Sequence, residues 1–254
     1  MPSKTAFITG ASSGIGQATA HQFAAAGFDL IISARRKSRI DELSRLLVEQ
    51  HGVEVLALEL DVRDQEAVRE SIGSLPKKWQ TFDVLINNAG LSRGLVTIDK
   101  GLISDWDEMI DTNVKGLLYV SRAVTPLMVK RQGGHIINIG SIAGHEVYAN
   151  GAVYCASKHA VDALTKGMRI DLCQHGVKVS TIDPGLVNTE FSKVRFHGDQ
   201  QRADSTYNGM TPLSADDVAA TILYMAQVPA HVNLAEVLLL PTDQAAATVV
   251  KRDN

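Results

Sequence analysis

The stretch KTAFITGASSGIG, Lys4 to Gly16, decides how the chain is read. An apolar run, Thr5 to Thr9, ends at Gly10; Gly14 and Gly16 follow, and from Ile15 onward apolar residues return at three- and four-residue spacing. The glycine spacing is G-x-x-x-G-x-G, not the G-x-G-x-x-G of the best-known dinucleotide turn. A strand, a glycine turn and a helix, in that order, build a phosphate site largely from backbone. Gly10 supplies the tight turn, Gly14 lets a pyrophosphate approach the main chain, and Gly16 lets the helix pack closely on the sheet. The first N–H groups of a helix lack partners and carry partial positive charge. Gly14, Ile15 and Gly16 would present them here, with Ser12 and Ser13 adding hydroxyl donors.

Working outward, strand-like runs recur at 5–9, 29–34, 53–60, 83–88, 134–140, 177–183 and 235–241. Between them lie segments of helical spacing, among them Ile15 to Ala26, Ile40 to Glu49, Ala67 to Leu75, Trp106 to Val129 and Ala156 to Gln174. Strands alternating with helices imply right-handed βαβ units and a parallel sheet, and nearly continuous apolar strands imply a sheet covered on both faces. The expectation is an α/β chain: one Rossmann-type domain over 1–254, a doubly wound parallel sheet of about seven strands with helices on both faces. The long region without clear periodicity, 189–215, is read as a lid over the substrate.

Composition narrows the function. The formal charge of −3 gives no general attraction to nucleic acid or anionic membrane. No apolar stretch reaches the roughly 18 residues of a membrane span, and the start lacks signal-peptide anatomy. Cys155 and Cys173 have no zinc spacing and cannot make a disulfide framework, so a reduced, cytoplasmic setting is expected. The eight histidines are scattered; His135 and His159 read as packing or surface residues, and no metal is required.

The second strand ends in SARRKSR. An acidic residue there would suit the adenosine ribose of NAD; Arg35 and Arg36 instead suit the 2′-phosphate of NADP, while the first carboxylate, Asp41, comes later. Asp61 and Val62 end the third strand at the adenine edge. In NNAG, Asn88, Ala89 and Gly90 are small enough to let backbone approach the cofactor.

YCASK places Tyr154 and Lys158 on one helix face, four residues apart. Ser141 lies thirteen residues earlier, at the carboxyl end of a strand, and Asn113 falls in DTNVKG within a helix. Singly these are ordinary residues; after a glycine turn they form a chemical set. The sequence resembles the short-chain dehydrogenase/reductases over essentially its whole length. TGASSGIG, NNAG, the Asn of DTNVKG, the Ser of IGSIAG, YCASK and PGLVNT stand in that family's order and spacing. The resemblance implies that Tyr154 is the acid/base, Ser141 holds the substrate oxygen, Lys158 binds the nicotinamide ribose and supports the tyrosinate, and Asn113 anchors a relay water. It implies contacts from Val187 and Thr189 to the carboxamide and pyrophosphate, and a homotetramer. A free phenol has a pKa of about 10, and a nearby ammonium is expected to lower it. Ser141 would donate to the oxygen as charge develops there.

Two regions, TEFSKVRFHGD with the following RADSTY and PAHVNLAEVLLLPTDQA, resemble a narrower group: NADP-dependent 3-hydroxy acid dehydrogenases that also oxidise serine and L-allo-threonine. A substrate carboxylate needs a cation. Arg195 is the first candidate and Arg93 the second, with Glu146 and Asn150 expected to line the same pocket. 3-Hydroxypropionate and 3-hydroxyisobutyrate belong to the same substrate class. Two other readings stand beside this one: a reductase of a neutral ketone, sugar or 3-oxoacyl thioester, and a non-enzymatic NADP sensor. The intact Asn113, Ser141, Tyr154 and Lys158 speak against the sensor.

Overall fold

The structure, a computed structural model, describes residues 3–253. The seven expected strands form as β1 (Thr5–Thr9), β2 (Asp29–Ala34), β3 (Val55–Glu59), β4 (Val84–Asn87), β5 (Gly134–Ile139), β6 (Val177–Pro184) and β7 (Glu236–Leu239). They make one sheet of order β3-β2-β1-β4-β5-β6-β7 with every pair parallel. Side chains alternate across a strand, so each face builds its own core. Ile8 and Ile32 join one apolar cluster; Phe7 and Ile31, one residue away, join the other.

The helices are α1 (Gly14–Ala25), α2 (Lys37–His51), α3 (Gln65–Gly73), α4 (Ile103–Ile110), α5 (Leu117–Arg131), α6 (Ala152–Leu172), α7 (Glu190–Arg195), α8 (Gln200–Ser205) and α9 (Ala215–Gln227). The single helix expected over Trp106 to Val129 is interrupted by a π-helical turn, Asp111–Gly116, which carries Asn113. Segment 189–215 is partly helical, holding α7 and α8, and α9 begins at its end with a capping box of Ser214 and Asp217. No helix among the described residues is long and apolar enough to cross a membrane.

Strand order reverses at β1, which pairs with β2 on one side and β4 on the other. Such a reversal opens a crevice at the carboxyl ends of the strands. Here the crevice is pinned shut at its base. The Thr9 hydroxyl accepts from the amides of Asn88 and Ala89, both at 3.0 Å, and the Asn88 side chain donates to the carbonyls of Thr9 and Gly10 at 2.8 and 3.1 Å.

The two lone residues expected to be inert are so. His135 is buried in β5 with Nε2 2.7 Å from the Ser180 hydroxyl, and burial brings it down to about 3, so it packs as neutral imidazole. His159 turns its ring back onto the Cys155 carbonyl.

Candidate active site

A cleft of about 350 Å³ fills the crevice. The expected cofactor residues line it from Gly10, Ser12, Ser13, Gly14 and Ile15 through Arg35, Arg36, Asp61 and Val62 to Asn88, Ala89, Gly90, Val187 and Thr189, together with Ser141, Tyr154 and Lys158. Gly16 sits just behind, where a Cβ would run into the Asn88 amide and the Gly10 carbonyl. It lets the helix start lie against the NNAG segment. Ser13 caps α1 in extended conformation with no side-chain hydrogen bond, leaving the first helical N–H groups for an anion. A diphosphate therefore fits this turn.

At the far end of the cleft the arginines converge. Arg36 donates to the hydroxyls of Ser12 and Ser13 at 2.9 and 2.7 Å and to Glu190 at 3.0 Å. Arg39 donates to the same carboxylate at 3.0 Å. Arg36 lines the cleft and Arg39 does not; a 2′-phosphate could take the place of Glu190 on Arg36. Arg35 leans the other way, with its Nη1 3.6 Å from Glu108. Arg39, three residues after Arg36 at the start of α2, reaches Glu190 from outside the cleft lining.

At the near end stand Ser141, Tyr154 and Lys158. Ser141 ends β5's connection, its hydroxyl accepting from the Ala143 amide at 3.1 Å. Tyr154 and Lys158 lie on α6, both buried. Lys158 Nζ donates to the Ile139 carbonyl at 2.8 Å and stands 5.9 Å from the centre of the Tyr154 ring. Burial lowers Lys158 to about 8, with the Asp183 carboxylate opposing. The expected downward pull on the phenol is not what the surroundings give. Burial pushes Tyr154 up, Tyr148 adds to it, and the Arg195 guanidinium and Ser141 hydroxyl oppose without reversing it. The physical reason is desolvation: a phenolate here would lose water on every side. The protonated form, which donates to a carbonyl oxygen, is favoured.

Asn113 is buried in the π turn. Its Oδ1 accepts from the Leu91 amide and its Nδ2 donates to the Leu91 carbonyl, each at 2.8 Å, and Nδ2 also donates to Ser157 at 3.0 Å. One acceptor position on Oδ1 remains.

The substrate side separates the two candidate arginines. Arg93 lines the cleft, but its guanidinium is paired: Nε donates to Glu108 at 2.7 Å and Nη1 to the Val194 carbonyl at 2.8 Å. Arg195 is held by neutral groups, donating to the Ser92 hydroxyl and the Tyr148 phenol at 3.0 Å each. Its guanidinium lies 5.2 Å from the Tyr154 ring centre and 5.1 Å from that of Phe191. Neither Glu146 nor Asn150 lines the main cleft. Glu146 turns out of the cleft, and its Oε2 accepts from the Ala247 amide at 2.8 Å. Asn150 takes a left-handed backbone (φ 66°) just before α6 and lines a second, much smaller cavity that shares Arg93 and Tyr154 with the cleft and also contains Ser92 and Tyr148. Tyr148 and Ser92, which position Arg195, were not anticipated from the sequence.

The family model for short chain dehydrogenase matches residues 4–200. An NADP-dependent 3-hydroxy acid dehydrogenase, YdfG, of Salmonella typhi is 45% identical over 94% of this chain and 96% of its own. Sulfoacetaldehyde reductase 2 of Chromohalobacter salexigens is 44% identical over 97% of this chain and 98% of its own. The closed form of a serine dehydrogenase complexed with NADP+ superposes with a TM-score of 0.92 at 41% identity, covering 98% of this chain and 100% of that one. With the glycine turn, the arginines and the Ser141–Tyr154–Lys158 set gathered in one crevice and relatives alike along their whole length, the chain belongs to the short-chain dehydrogenase family.

Proposed function

We propose that this NADP-dependent oxidoreductase moves a hydride between the cofactor and C3 of a small 3-hydroxy acid. The observation that carries the reading is Arg195: a half-buried guanidinium beside Tyr154, anchored only by hydroxyls, with no carboxylate partner among the described residues. A carboxylate two bonds from the reacting carbon would reach this cation across the Tyr154 ring, since Arg195 stands behind the cleft lining and 5.2 Å from that ring's centre. Ser141 holds the substrate oxygen, and Tyr154 gives or takes its proton. Lys158 carries positive charge beside that ring, and the remaining acceptor position of Asn113 Oδ1 suits a relay water. Segment 189–215, which supplies Arg195 and Phe191, acts as the lid.

The class can be narrowed. The acidic residues lining the cleft are Asp61 and Glu190, and arginines hold both. With Glu146 turned away, the amino group of serine meets no free carboxylate, so amine-free acids such as 3-hydroxypropionate and 3-hydroxyisobutyrate should exceed serine and L-allo-threonine in kcat/KM. A second reading is favoured by the sulfoacetaldehyde reductase relative: a sulfonate bears the same charge as a carboxylate and would meet the same guanidinium.

Arg195→Leu tests the charge. It should raise KM for the acid substrates by roughly 10- to 100-fold, about 1.5–3 kcal/mol, and affect a neutral alcohol or ketone much less. Arg195→Lys should recover part of the loss, keeping charge without the fork. Equal losses on charged and neutral substrates would remove the carboxylate reading and leave the neutral-ketone alternative. A panel of 3-hydroxy acids, serine and sulfoacetaldehyde then separates the two anions.

A cytoplasmic homotetramer completes the reading. Exposed Ile103, Leu118 and Ile170 on α4 to α6, and Tyr224 and Leu238 by the open edge at β7, are the apolar surfaces that subunit contacts would cover. Light scattering should give four times the 27.4 kDa chain mass, and a monomer mass at micromolar concentration would contradict it.

A further inference from the structure

Beneath the reacting end of the cleft lies a buried carboxylate that the proposed chemistry does not use. Asp183, near the end of β6, is 2% exposed. Its Oδ1 accepts from the Thr181 hydroxyl at 2.8 Å; its Oδ2 makes no aligned hydrogen bond, and Nε2 of His145 stands 3.0 Å away. The carboxylate lies directly against the backbone between β5 and β6. The Gly140 amide donates to the Ile182 carbonyl at 2.8 Å, and a Cβ at Gly140 would run into Asp183 Oδ1. One residue before Gly140 is Ile139, whose carbonyl holds Lys158 Nζ. The acid and the ammonium thus both pack against the Ile139–Gly140 segment.

A buried ion is retained only with compensation. The groups around Asp183 are Thr181 from its own strand, His145 from the turn after β5 and Lys158 from α6. Lys158 is buried at the cleft wall, where burial lowers it and the Asp183 carboxylate opposes that shift. Among the described residues Asp183 caps no helix and does not line the cleft.

We propose that Asp183 is a positioning residue, the buried counter-charge of Lys158, and that with Thr181 and His145 holding it in place it sets the upper pH limit of the Tyr154–Lys158 pair. This rests on the family reaction but not on which substrate is turned over. The sign follows from charge: an anion favours the ammonium, so removing it lets Lys158 lose its proton at lower pH.

The test uses the full-length protein and NADPH as the probe. Binding is followed by fluorescence from about pH 6 to about pH 10, beside the pH profile of kcat/KM on any accepted substrate. In the unaltered protein binding should weaken on the alkaline side, where Lys158 loses its proton. In Asp183→Asn and Asp183→Ser that break should move about one pH unit lower, and activity at the alkaline end should fall about tenfold. Asp183→Glu keeps the charge and should leave the break in place. An unmoved break in folded Asn or Ser variants would overturn the proposal, as would a Glu variant that shifts as far as Asn. Failure of both neutral variants to fold would also count against it, by making the carboxylate a structural requirement. Because NADPH binding needs no substrate, a wrong substrate class would leave this result readable.

Discussion

Tyr154→Phe is expected to abolish turnover while NADPH binding persists. The change removes one oxygen and keeps the ring, which packs edge-on against Phe191 with centres 5.7 Å apart and lies beneath Arg195. The cleft should keep its shape. What is lost is the proton at the substrate oxygen, and Ser141 cannot replace it, since its hydroxyl is a far weaker acid at neutral pH. Loss of general acid–base catalysis costs about 10²- to 10⁴-fold in kcat, and more if the oxygen also stabilises developing charge. Single-turnover kinetics with prebound NADPH would separate chemistry from binding. Activity within about tenfold of the unaltered enzyme would remove Tyr154 from its role.

Cofactor choice gives the other large effect. Arg36 binds across the glycine turn to Ser12 and Ser13 and shares Glu190 with Arg39, whereas Arg35 leans toward Glu108. Of the two arginines expected to meet the 2′-phosphate, the larger effect is therefore predicted for Arg36. Replacing Arg36 by Ala should raise the Kd of NADPH by about 10- to 100-fold, the value of one or two charge-assisted hydrogen bonds, with a smaller loss for Arg35→Ala. The double variant should lose about 10²- to 10³-fold if the two act independently. NADH, which lacks the 2′-phosphate, should change little, so the ratio of the two constants reports the contact directly. Titrations at fixed ionic strength are needed because these groups are exposed. Equal weakening of both cofactors would mean that Arg36 only braces the glycine turn.

Most of the fold was legible because its signals are local. All seven strand runs formed, since β-branched residues between glycine and helical stretches leave few alternatives. The ends were less certain: the runs expected at 53–60 and 83–88 shortened to Val55–Glu59 and Val84–Asn87 where pairing stops. The gathering of Ser141, Tyr154 and Lys158 in one cleft was legible too, with Tyr154 and Lys158 fixed by helical spacing. The substrate side was not. Glu146 is close to Ser141 in sequence, yet the chain turns it toward Ala247, about a hundred residues on. Tyr148, Ser92 and Asp183 act through partners on other elements, and no spacing along the chain encodes those meetings. The π turn at Asn113 was hidden too, because an extra residue in a helical turn leaves the apolar pattern almost unchanged.

The reversal of strand order also bears on how the molecule is assembled in time. β1 meets β2 after a short excursion through α1, but its other edge must wait for β4, whose partner residues lie nearly eighty positions away. Closing that loop carries a large entropic cost before any contact repays it, which places the chain among slow-folding topologies. The bonds from Asn88 to Thr9 and Gly10 form only at that step. An intermediate in which β1–β3 had paired alone would hold the glycine turn yet have no opposite wall to the crevice, and would leave one edge of β1 open to a wrong neighbour.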